Sequence, residues 1–152
     1  MGSAYSSPAG YVHGRSLAQM LALIVGAVFL LVGILGFIPG VTTEYYELRF
    51  AGHHSEALLL GLFQVSILHN IVHLAFGVAG LLLARTAGLA RLYLVGGGVI
   101  YLILWLYGLI VPFETGANFV PLNTADNWLH LALGVGMIAL GLVSGRGLGS
   151  SR

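Results

Sequence analysis

Residues 69–83 read HNIVHLAFGVAGLLL and residues 126–140 read DNWLHLALGVGMIAL. Aligned without a gap, Asn70 matches Asn127, His73 matches His130, Leu74 matches Leu131, Ala75 matches Ala132, Gly77 matches Gly134 and Val78 matches Val135. Both stretches are apolar runs opened by polar residues at helical spacing. The first and third apolar runs match more weakly, through Gly26 with Gly98 and Gly36 with Gly108. This pattern predicts two tandem helical hairpins, related by a pseudo-two-fold axis along a membrane normal.

The surrounding composition leaves little choice of solvent. Of 152 residues, 58% are hydrophobic and only 7% charged, against roughly 25% charged residues in a soluble domain. Four apolar runs, residues 17–38, 57–84, 92–111 and 128–143, each approach the length that crosses a bilayer as a helix. Strands of a membrane barrel would alternate in polarity, and these runs do not. The first run is too long for a signal-peptide core and lacks a small-residue cleavage site, so it reads as a retained span. The expected fold is all-α, a four-helix transmembrane bundle over residues 17–144, with cytoplasmic tails at 1–16 and 145–152. Ser55 reads as the N-cap of the second helix.

Charge orients the bundle. Arg15, Arg85, Arg91, Arg146 and Arg152 flank the runs on one side, while Glu44, Glu47, Glu56, Glu114 and Asp126 lie on the other with Arg49. By the positive-inside rule, both termini are cytoplasmic in a multi-pass protein of the cell membrane. Phe37, Trp105, Tyr107, Phe113 and Trp128 fall near the outer interface and Tyr93 near the inner one, as interfacial anchors do. Cysteine and lysine are absent, which excludes thiol catalysis, thiolate metal sites and Schiff-base chemistry. Six arginines divided by a membrane form no nucleic-acid footprint. The bilayer itself is the expected partner, with a homo-oligomer left open and no soluble partner indicated.

The polar residues within the spans carry what chemistry there is. His69 and His73 lie one turn apart on one helix face, and Asp126 and His130 repeat that spacing. Such groups face the bundle interior, because lipid exposure of ionisable groups is costly. Three readings follow. As interhelical glue, Asn70, His73, Asn127 and His130 hydrogen-bond between helices and Asp126 stabilises a helix start. As a cofactor site, His69, His73, Asp126 and His130 enclose a divalent metal, or His73 and His130 ligate a haem with Gly77 and Gly134 leaving space. As a proton relay or transporter, the histidines titrate near physiological pH, although no charged stripe continues to the cytoplasmic face. The bare HxxxH lacks the glutamate of a zinc protease, and no catalytic residue stands out.

The segments LGFIPG from Leu35, LGLFQVSILHNIVHLAFGVAGLLLAR from Leu60 and ADNWLHLALGVGMIALG from Ala125 resemble the domain-of-unknown-function 4383 family of small four-span microbial membrane proteins. The resemblance spans residues 17–142. It implies the topology and carries no activity.

Overall fold

A computed structural model of the chain describes residues 14–145. Residues 1–13 of the expected tail at 1–16, and residues 146–152 with Arg146 and Arg152, lie outside the described residues. Four helices dominate: α1 (Leu17–Leu35), α2 (Ile67–Leu83), α3 (Ala87–Ile110) and α4 (Thr124–Val143). Between α1 and α2 three two-residue strands, β1 (Thr42–Thr43), β2 (Leu58–Leu59) and β3 (Phe63–Gln64), form a small antiparallel sheet in that order.

Each helix begins at a polar cap. Ser16 and Gln19 form a reciprocal capping box for α1, and Asn123 with Asp126 forms one for α4. Ser66 and Thr86 cap α2 and α3 by accepting from the amides of His69 and Leu89. Helix α3 stops where Pro112 forces the preceding residue out of the helical region.

The start of α2 differs from the expectation. Residues 57–65 are not helical: they form β2, a tight turn and β3, and the cap is Ser66 rather than Ser55. An unbroken apolar run does not distinguish strand from helix by hydropathy. Here Leu60 and Gly61 adopt left-handed φ values of 55° and 69°, which break a right-handed helix and turn the chain back. Ser55 is instead a buried loop pin, donating to the Val65 carbonyl at 2.7 Å and accepting from the Arg49 amide at 3.0 Å.

Within each hairpin the helices touch at glycines. A Cβ on Gly26 would stand 2.9 Å from the Gly77 carbonyl oxygen, and a Cβ on Gly98 would stand 2.7 Å from that of Gly134. Only glycine permits such backbone approach. At the opposite end of the bundle, Gln19 donates to the carbonyls of Ala84 and Arg85 at 3.0 and 2.9 Å, and Arg91 donates to that of Gly141 at 3.2 Å. These bonds satisfy carbonyls that a helix C-terminus leaves free. Tyr93 is not the interfacial anchor expected of it. Its ring is buried against Gly80 and Phe76, because Gly80 leaves a hollow that an aromatic ring fills.

The outward faces are apolar: Ile24, Leu31, Ile103, Leu109 and Val135 are all more than half exposed. A continuous aliphatic surface of this kind is stable against acyl chains, not water. Three helices are long and apolar enough to cross a bilayer, and α2 is a shorter apolar helix of 17 residues. The β2–β3 hairpin, its two strands paired antiparallel, leads directly into α2.

Candidate functional site

Helices α1 and α4 barely meet, and the gap between them is a slot of about 320 Å³. Its long walls are aliphatic, with Val25, Val28 and Val32 from α1 facing Leu129, Leu133 and Leu140 from α4. Leu59, Leu60 and Phe63 of the β2–β3 hairpin roof one end. Beneath that roof stand the polar groups, His69, His73, Tyr101, Asp126 and His130. Ile24 and Val28 line the slot yet remain at least half exposed, so it opens along the flank of the bundle.

All three imidazoles turn inward, as the cost of lipid exposure dictates. His69 and His130 are 5% and 3% exposed. The rings of His69 and His73 lie 4.5 Å apart, with the backbone of Gln64 and Pro121 beside His69. His73 packs on Phe29 at 5.7 Å and His130 packs on Tyr101 at 5.2 Å. Phe29 and Tyr101 in turn stack on each other at 5.5 Å and 22°. The two histidines thus flank a shared aromatic pair.

None of the three Nδ1 atoms finds a hydrogen-bond partner among the described residues, although each is buried. Imidazole carries one donor and one acceptor when neutral, and burying either unpaired costs about 1–3 kcal/mol. Asn70 and Asn127, expected in the same cluster, sit elsewhere. Each turns its carboxamide away from the slot onto a glycine, Asn70 onto Gly36 and Asn127 onto Gly108. The oxygen in each pair occupies the direction of a glycine Cα–H, a weak interhelical contact.

Asp126 has a defined structural task. Its Oδ2 accepts from the amide of Asn123 at 3.1 Å and from that of Gln64 at 2.9 Å, so it closes the α4 capping box and ties β3 to α4. Asn123 adds a bond from its side chain to the Leu62 carbonyl at 2.8 Å. Among the described residues, no group of three or more His, Asp or Glu side chains is arranged to hold a metal ion.

Sequence reasoning missed Phe29, Tyr101 and the hairpin roof. Phe29 and Tyr101 each follow by three residues the matched glycines Gly26 and Gly98, and that register was the available signal. His53 and His54, whose rings pair at 3.9 Å in the loop between α1 and α2, do not line the slot.

The family described as "Domain of unknown function (DUF4383)" matches residues 19–143 of the chain. No curated protein and no solved structure matches it.

Proposed function

The chain belongs to the DUF4383 family, and on that premise we propose that it is a four-span protein of the cell membrane whose outer half binds a lipid-soluble ligand in the α1–α4 slot. The observation that carries this reading is an apolar slot, open along the flank of the bundle, whose wall beneath the β2–β3 roof includes His69, His73, Asp126 and His130. Ligand pockets are typically apolar clefts of about 300–1,000 Å³ with a few convergent polar groups.

Orientation is supported by Arg15, Arg85 and Arg91, which gather where α1 starts and α2 meets α3; that end is cytoplasmic, and the β2–β3 roof lies outside. We read the two hairpins as tandem copies. One constant shift in numbering carries Gln19, Gly26, Phe29 and Gly36 onto Arg91, Gly98, Tyr101 and Gly108. A second carries Ser66, Asn70, His73 and Gly77 onto Asn123, Asn127, His130 and Gly134. Contacts correspond as residues do: Gln19 with Ala84 and Arg91 with Gly141, Phe29 with His73 and Tyr101 with His130. In this reading His69, His73 and His130 join the hairpins at their outer halves through the aromatic pair, and Asp126 joins them through Gln64.

Haem ligation by His73 and His130 has less support, because each ring abuts an aromatic ring and those rings stack together. The slot reading is tested by extracting lipids from the purified protein and from Gly136→Leu. Gly136 lines the slot and a Cβ there meets nothing within 4 Å, so a larger side chain at that position has room to start into the cavity. One discrete lipophile retained by the wild type and lost from the variant is expected; identical lipid profiles would overturn the reading.

A further inference from the structure

We propose that the slot takes its ligand by a hydrocarbon chain, seated with the terminal methyl beneath the β2–β3 roof and the polar head left outside. The inference rests on the slot being a ligand site and names the part of the ligand that the site recognises.

Burial decides which wall a ligand can touch. Phe29, His69, Tyr101, Asp126 and His130 border the slot, yet each is 5% exposed or less, and the Nδ1 of His73 is buried. A polar head beneath the roof would therefore find almost no polar surface. What remains is aliphatic on both long walls, with Leu59, Leu60 and Phe63 closing one end.

The other half of the bundle shows what such a groove holds. The shifts in numbering that relate the hairpins carry Phe76 onto Leu133, and Leu21 and Val25 onto Tyr93 and Gly97. Between α2 and α3 the Phe76 ring lies 4.9 Å from that of Phe29, 5.0 Å from that of Tyr93 and 5.7 Å from that of Tyr101. It sinks into the hollow at Gly97, where a Cβ would stand 2.6 Å from it. Between α1 and α4 the matched positions hold no ring, and Val25 has a side chain where that hollow would be. The chain thus plugs one groove with its own apolar group and leaves the matching groove open at the flank.

A lipid chain that enters from the bilayer exchanges hydrocarbon for hydrocarbon, so the hydrophobic effect contributes nothing. The gain is contact with walls that otherwise face a void. Such contacts depend on the chain and are indifferent to a head beyond the slot. From Ile24 to Val32 the α1 wall runs about 12 Å at 1.5 Å per residue, and the head emerges past its open end.

The experiment uses the full-length protein in phosphatidylcholine nanodiscs and three photoreactive lipids that share one acyl chain with a terminal diazirine: a phosphatidylcholine, a phosphatidylglycerol and a methyl ester. Labelled positions are mapped by peptide mass spectrometry in the wild type, in Gly136→Leu and in the double variant Val25→Gly, Leu133→Phe, which rebuilds the Phe76–Gly97 pair on the slot side. Circular dichroism checks that the variants keep their helical content. The expected result is labelling of Leu59, Leu60, Phe63 and Leu129 by all three probes, lost from both variants while outward Ile103 stays labelled. Labelling of the slot by one head alone would overturn chain recognition and leave the slot as a ligand site. Slot positions labelled by no probe would overturn chain recognition, and the ligand site with it if no lipophile is extracted from the wild type. Equal labelling of wild type and Gly136→Leu would overturn both.

Discussion

The carboxamide of Asn70 lies where a side chain on Gly36 would begin, and the carboxamide of Asn127 stands in the same relation to Gly108. Each asparagine is buried, and each depends on a neighbouring helix that carries no Cβ at one level.

Gly36→Ala and Gly108→Ala are therefore expected to displace a buried carboxamide and destabilise the protein by about 1–3 kcal/mol, the range for overpacking. Gly96→Ala is the control, since a Cβ at that position meets nothing within 4 Å; it removes a flexible helical residue and is expected to be neutral or stabilising by up to about 1 kcal/mol. Thermal unfolding in detergent, followed by circular dichroism, separates the two classes. A Gly96→Ala loss as large as that of Gly36→Ala would contradict the packing assigned to these asparagines.

Asp126 makes a second, independent prediction. Its carboxylate serves two backbone amides, one at the N-cap of α4 and one on β3, so Asp126→Ala should cost about 1–2 kcal/mol, as loss of a helix cap does. Asp126→Asn keeps one acceptor oxygen and should lose less. Beyond stability, hydrogen exchange at the Gln64 amide should accelerate in Asp126→Ala. Unchanged exchange there would mean that the hairpin roof is held by other contacts.

Much of this architecture was legible in the chain. The shared register of residues 69–78 and 126–135 pointed to two hairpins, and the cost of polar groups in lipid turned His69, His73 and His130 inward. The β2–β3 roof was not legible, because LLLGLF is apolar throughout and its reversal depends on the left-handed backbone at Leu60 and Gly61. Nor was the separation of the asparagines from the histidines. One residue of helical rotation, about 100°, takes Asn70 from the slot beside His69 to the α1 interface, and only the position of Gly36 decides that outcome.

Topology is open to direct labelling because the chain has no cysteine. A cysteine at Tyr46, which is 93% exposed in the loop between α1 and α2, should react with a membrane-impermeant maleimide in intact cells. One at Gly88, exposed at the start of α3 with open space around its Cβ, should react only after permeabilisation. The reverse pattern would invert the protein and place the slot head in the inner leaflet.

Metal content distinguishes the ligand reading from the metal reading of the same residues. With Asp126 engaged by backbone amides and no three candidate ligands gathered, the purified protein is expected to carry no stoichiometric zinc, iron or copper by elemental analysis. An equivalent of one metal, absent from a His73→Ala, His130→Ala variant, would favour coordination at these residues instead.

The most direct test of the slot is whether its histidine rings are reached from the bilayer. In isotope-labelled protein in nanodiscs, a lipid carrying a nitroxide on its acyl chain should broaden the ring resonances of His69, His73 and His130, and Gly136→Leu should relieve that broadening. A water-soluble paramagnet should leave them sharp. Rings untouched by the lipid probe, or broadened equally in Gly136→Leu, would contradict a lipid-accessible site.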